Sequence, residues 1–181
     1  MVRQRWMWAG ILGLTASLLL SGCGFHLRGY DTVGEVQFKT VQLQSSPSVR
    51  LEVKLALRKQ LELSGVNIVS SEKEAEVLIQ LSPTHYKVSR TAFSGQGDAT
   101  AELLSMSQSF TATWALTGNL LVSGSVETYR DRQIDTAALL ASEQELIGMR
   151  ESMAGDLARQ MMDRINRAVQ KQFSVSEPVK P

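Results

Sequence analysis

The stretch from residue 100 to residue 117 leaves this chain the least freedom. Even positions carry Leu104, Met106, Phe110, Ala112, Trp114 and Leu116, and odd positions carry Ser105, Ser107, Ser109, Thr111, Thr113 and Thr117. Successive side chains of a strand point to opposite faces, so the alternation predicts a long strand with one apolar face and one hydroxyl face. Gly118-Asn119 then turns the chain. Leu120, Val122 and Val126 against Ser123, Ser125 and Glu127 predict an antiparallel partner strand. The apolar face needs a cover, and the flanking sequence supplies one.

Leu146, Met149, Met153, Leu157, Met161, Ile165 and Val169 recur at spacings of three and four, which predicts a helix to about Phe173. Its methionines read as core. Ser142 with Glu145 three residues on predicts a capping box at its start. Residues 48–64 fit two patterns. Leu51, Val53, Leu55 and Leu57 alternate like a strand, yet Val49, Val53, Ala56, Leu57 and Leu61 share one helical face. Ala56, the straight-chain residues and Gly65 as a stop decide for helix, with Pro47 near its first position.

Thr40–Gln44, Val66–Val69 and Glu76–Leu81 read as strands, and the acidic run 72–76 as a connecting turn. Pro83 cannot donate to a ladder and marks an edge or a bulge, after which Tyr86, Val88 and Arg90 resume the strand. The order β-α-β-β-β-α makes the first helix a parallel crossover, followed by a meander. An α+β two-layer sandwich follows, with two helices on one face of a roughly four-stranded mixed sheet.

The first 22 residues read as a separate signal. Arg3 and Arg5 precede an apolar run from Trp6 to Leu20, too short and too rich in small residues to span a bilayer. The run ends in Leu20-Ser21-Gly22-Cys23. A cysteine directly after Leu-Ser-Gly resembles the bacterial lipobox, in which Cys23 is diacylated and becomes the first residue. An ordinary signal peptide with a chance cysteine is the other reading. Cleavage removes Arg3 and Arg5 and takes the formal charge from +1 to −1. Acyl chains, not charge, then provide the membrane hold. Gly24 in place of Asp resembles a sorting signal for the outer membrane. Residues 23–173 form the expected single domain, and 174–181, with Pro178 and Pro181, an expected disordered tail.

Catalytic and metal chemistry find little material. The sequence holds two histidines and one cysteine, so neither a disulfide nor a Cys-rich zinc site is possible within the chain. No Gly-x-Ser-x-Gly elbow accompanies the serines, and neither His26 nor His85 has an obvious catalytic constellation. Gly95-Gln96-Gly97-Asp98 lacks a phosphate-loop lysine. Glu143, Glu145 and Glu151 suit a helix N-terminus better than a metal. A balance of 19 basic and 18 acidic residues excludes nucleic-acid binding by bulk charge. The chain is expected to act by binding, without catalytic residues, cofactor or metal.

The hydroxyl face is unusual. Ser107, Ser109, Thr111, Ser123 and Ser125 present small polar groups where a solvated sheet usually carries Lys and Glu. Such a face suits close packing against another polar wall; a solvated Thr-rich sheet is the other reading.

Cys23-Gly24-Phe25-His26-Leu27-Arg28-Gly29 resembles the start of the LptE family of lipopolysaccharide-assembly lipoproteins. Leu57-Arg58-Lys59-Gln60-Leu61 with Ser64-Gly65-Val66, Ala101-Glu102, Ser142-Glu143-Gln144-Glu145, and Asp156-Leu157-Ala158-Arg159-Gln160 with Ile165 continue the resemblance in order. The resemblance implies a β-α-β-β-β-α fold and a plug that sits inside the β-barrel LptD, helps it assemble, and takes part in lipopolysaccharide delivery to the outer leaflet. It also implies basic residues, before the long strand and before the last helix, that contact lipid A phosphates. Here those places hold Ser94-Gly95-Gln96-Gly97-Asp98 and Ala141-Ser142, with no basic residue. The nearest cations, Lys87, Arg90, Arg130 and Arg132, stand as the lipopolysaccharide-binding candidates. A tethered adaptor for a periplasmic enzyme or lipid transporter is the alternative, and a lipid-anchored hydrolase a remote third.

Overall fold

A computed structural model describes residues 36–134 and 138–176. The signal segment, Cys23 and His26 lie outside the described residues. The alternating stretch forms the central meander strand, and its even-numbered residues decide where everything else packs. In chain order the elements are β1 (Thr40–Ser45), α1 (Leu51–Leu63), β2 (Asn67–Ile68), a single 3-10 turn (Glu72–Glu74), β3 (Val77–Phe93), β4 (Ala99–Trp114), β5 (Leu120–Gln133) and α2 (Leu139–Ser176). The five strands run β2-β1-β3-β4-β5 across one sheet. β1 is parallel to β2 and to β3, while β3, β4 and β5 are antiparallel in turn. The expected α+β sandwich therefore stands with five strands rather than about four. The difference is β2, a two-residue edge strand that the 3-10 turn separates from β3.

α1 begins later than its proline suggested. Pro47 belongs to the turn before the helix, where the Val49 N–H donates to the Ser46 carbonyl at 3.1 Å. Arg50 is the cap residue, and its N–H is taken by the Thr84 hydroxyl at 3.0 Å. The other end follows the glycine rule. Gly65 adopts φ 75°, Val66 N–H reaches the Leu61 carbonyl and Gly65 N–H the Glu62 carbonyl, both at 3.0 Å. That left-handed turn satisfies carbonyls the helix would otherwise leave open.

Pro83 sits in a bulge. The register passes from Leu81↔Phe110 to Thr84↔Gln108, so Ser82 and Pro83 together oppose Ser109. β1 ends at Ser45, opposite Leu81, so the missing proline N–H interrupts no ladder on that side. The extra residue also switches parity. Val77, Ile79 and Leu81 point to the core before it; Tyr86 and Val88 take that side after it.

The core lies between this face and both helices. Val53, Leu57 and Leu61 of α1, Met153, Leu157, Met161 and Ile165 of α2, and Ile79, Leu104, Met106 and Phe110 of the sheet are fully buried in one cluster. Each such Leu, Ile, Met or Phe contributes roughly 1.5–3 kcal/mol. The methionines of α2 are core, as their spacing predicted.

Two expectations are corrected. Leu116 leaves the apolar row and is 96% exposed in the β4–β5 turn, while Trp114 is half-buried at the core's end. The strand stops at Trp114, so the alternation no longer binds Leu116 to a face. Ser142 is not a cap: α2 starts at Leu139, and the buried Ser142 hydroxyl accepts a hydrogen bond from Arg132 Nη2 at 2.8 Å. The Ser142 N–H bonds back to the Ala138 carbonyl at 3.0 Å, so the residue lies inside the helix and not at its cap. α2 continues through Ser176, and residues 177–181 lie outside the described residues.

Candidate functional site

Strand alternation places all five candidate hydroxyls on the side of the sheet opposite the helices. Cross-strand rows there read Gln80–Thr111–Ser123, His85–Ser107–Glu127 and Lys87–Ser105–Tyr129, with Ser109 beside Ser125. β1 extends the face with Gln42 and Gln44, opposite Leu78 and Gln80. The Thr111 and Ser123 hydroxyls stand 3.2 Å apart, and Ser125 Oγ lies 3.5 Å from the Gln108 carbonyl. The β4 hydroxyls are half-buried between neighbouring strands, whereas Ser123 and Ser125 are exposed. Charge collects toward one end, at Lys87 and Glu127, leaving the Gln80–Thr111–Ser123 centre neutral. Hydroxyls and amides both donate and accept, and they shed water at far lower cost than charged groups. The exposed His85 is part of this face.

The outer edge of β5 is partly covered from α2. Arg164 Nη1 donates to the Ser125 carbonyl at 2.8 Å, Gln160 to Glu127 at 3.2 Å and Gln172 to Leu120 at 3.4 Å. Such contacts protect an edge from pairing with another chain. Gly124 makes room for the first of them: a Cβ there would lie 3.1 Å from Arg164 Nη1.

The four candidate cations do not form one patch. Lys87 shares the hydroxyl face, but Arg90, Arg130 and Arg132 fall on the helix side by register. Arg130 pairs with Asp156 of α2, which also binds Arg159, and donates to the Tyr129 carbonyl at 2.8 Å. Arg132 is buried against Ser142. Both arginines fasten β5 to α2. Arg90 is exposed and shares a row with Glu102 and Arg132. Residues 87 and 90 differ in parity, which is why the strand sends them to opposite sides.

A basic cluster that the sequence did not reveal lies where α1 begins. The Arg50 guanidinium sits 4.9 Å from the Tyr86 ring centroid and 3.0 Å from Glu52, whose carboxylate is also 4.0 Å from Arg150. Burial pushes the Glu52 carboxyl up, but its backbone hydrogen bond, Arg50 and Arg150 together outweigh this and hold it below 4.5. Burial raises the Tyr86 phenol above 10 despite the nearby Arg150 and Arg50, so it stays neutral. Residues 50, 86 and 150 meet only through the tertiary fold, so no local signal announced them. Among the described residues, no three His, Cys, Asp or Glu side chains gather as a metal site would require.

A family model described as LptE, lipopolysaccharide-assembly, matches residues 38–165. The LPS-assembly lipoprotein LptE of Pectobacterium atrosepticum is 32% identical over 161 residues, covering 86% of this chain and 82% of that protein. The solution structure of lipoprotein B from Nitrosomonas europaea matches with a TM-score of 0.66 at 18% identity, over 87% of this chain and 99% of that one. The crystal structure of rare lipoprotein B from Shewanella oneidensis matches with a TM-score of 0.58 at 18% identity, over 77% and 100%. At such identities the two structures speak to the fold. The family match runs from just before β1 into the second half of α2 and so takes in the whole sheet, its hydroxyl face and both helices: this chain belongs to the LptE family of lipopolysaccharide-assembly proteins.

Proposed function

We propose that the chain is a lipid-anchored plug of an LptD-type outer-membrane β-barrel, which it helps to assemble and with which it delivers lipopolysaccharide to the outer leaflet. The observation that carries this reading is the neutral hydroxyl face centred on Thr111, left bare by helices that pack on the opposite side. A barrel lumen is polar and hydrated. Ser107, Ser109, Thr111, Ser123 and Ser125 can exchange hydrogen bonds with water for hydrogen bonds with such a wall, and none of them brings a charge that needs a partner. Membership of the family supports the same partner, and nothing favours the adaptor reading.

In this reading residues 1–22 are removed and Cys23 carries the acyl chains at the periplasmic face of the outer membrane. Among the described residues no helix is long and apolar enough to cross a membrane, and lipid on Cys23 supplies the hold. The working domain runs from Cys23 to the end of α2 at Ser176. The protein acts without enzymatic chemistry. Lys87 and Arg90, the exposed members of the four cations, are the ones offered to lipopolysaccharide phosphates, while Arg130 and Arg132 brace the same end of the sheet.

Recovery through a C-terminal tag after mild detergent extraction tests the reading. A large β-barrel in stoichiometric amount is expected. A periplasmic enzyme in its place would overturn the plug reading.

A further inference from the structure

The two ends of the sheet differ in chemistry. At the end where β1 begins, Leu116 is 96% exposed, Leu120 56% and Phe173 47%. Trp114 meets Phe173 edge to face, with ring centroids 6.2 Å apart. Its indole N–H donates to Gln172 Oε1 at 2.7 Å, and Gln172 in turn donates to the Leu120 carbonyl at 3.4 Å. Val36, where the described chain begins, lines a hollow with Lys39 and Phe173. Segments distant in sequence thus gather aliphatic and aromatic side chains at one end. The turn Thr117-Gly118-Asn119 is otherwise polar, so folding gives no reason for a leucine at 116. Exposed apolar groups gathered in one place mark an interaction site.

We propose that this end is a lipid-contacting foot, on which Leu116, Leu120, Trp114 and Phe173 rest in the interface of the bilayer that holds the Cys23 acyl chains. The inference rests on Cys23 being lipidated. Chain length selects the end. Val36 stands thirteen residues after Cys23, a span of at most about 47 Å. β3 has 17 residues and leads away from Val77, which pairs with Trp114 at this end; at 3.3 Å per residue it is about 56 Å long. An upright sheet with its far end on the bilayer would therefore hold the chain's entry point beyond the tether's reach. The composition also fits lipid. Aromatic rings with a lysine beside them suit the boundary between headgroups and acyl chains. The indole N–H is already bonded to Gln172, so insertion strands no donor. Tethering keeps the local concentration high, and a small patch is then enough.

Trp114 is the single tryptophan left once Trp6 and Trp8 depart with the signal. The mature lipoprotein, with the lipid on Cys23 established by mass, is reconstituted into phosphatidylethanolamine–phosphatidylglycerol vesicles whose acyl chains carry bromine. Bromine is expected to cut Trp114 emission about twofold, and the double variant Leu116→Asp/Leu120→Asp to lose most of that quenching with an unchanged thermal melt. Lipid on Cys23 with unquenched Trp114 would overturn the foot alone. Equal quenching in the double variant would overturn it as well, because lipid would then reach the indole without these leucines. A mature chain without lipid on Cys23 would overturn both the anchor and the foot.

Discussion

Gln108 is the polar residue in an otherwise apolar row, and the bulge explains it. It is fully buried, its Oε1 accepts from the Thr84 hydroxyl at 2.7 Å, and its Nε2 donates to the Ser82 carbonyl at 2.6 Å and the Ser109 carbonyl at 2.8 Å. The amide thus answers the carbonyl that the Ser82–Pro83 bulge takes out of the ladder. Gln108→Leu should lower stability by about 1–3 kcal/mol in denaturant unfolding, because buried polar groups lose their partners. Glu52 gives a pH signature. Its carboxyl is held below the usual carboxylate range when folded, so its stabilisation is present above the unfolded value and disappears as the pH falls through the folded one. Glu52→Gln should cost about 0.5–1 kcal/mol near neutrality and flatten that part of the acid unfolding curve. Of these residues the sequence showed the identity of Gln108 without its purpose. Bulge geometry and the meeting of Arg50 with Tyr86 and Arg150 are properties of the assembled sheet and helices.

At the scale of elements, alternation was the most legible signal. It placed Ser107, Ser109 and Thr111 together, and of the two readings that Pro83's missing N–H allowed, an edge or a bulge, the register shows the bulge. The Ser142–Glu145 pattern does not mark the start of α2, because the helix begins upstream at Leu139 and the same local spacing falls inside it. β2 was too short for its pairing to be distinguished from that of β3. Gly124 belongs to this scale too. Gly124→Val should displace Arg164 from the Ser125 carbonyl and uncover part of the β5 edge, with greater self-association in sedimentation velocity and little change in helix content. Ser109→Arg and Thr111→Arg should leave the isolated domain's stability within about 0.5 kcal/mol, since both face away from its core.

At the scale of the molecule, one sheet divides two tasks. Its even row in β4 builds the core with α1 and α2, and its odd row faces away from them and is the face proposed to meet the barrel. In the complex, an arginine at 109 or 111 puts an unpaired charge against a packed wall, and recovery of barrel from cells should fall several-fold. The family and fold class were legible because they rest on patterns many residues long. The grouping of the cations was not, because strand parity sends Lys87 and Arg90 to opposite faces, while Arg130 and Arg132 are engaged by Asp156 and Ser142 on α2.

The claim that the hydroxyl face meets the barrel wall has a direct measurement. A photo-crosslinking amino acid placed at Thr111, and separately at the exposed Arg58 of α1, is activated in intact cells and the adducts are identified by mass. A barrel adduct from position 111 in clear excess over position 58 is expected. An adduct from position 58 with none from position 111 would contradict it and put the partner on the helical side.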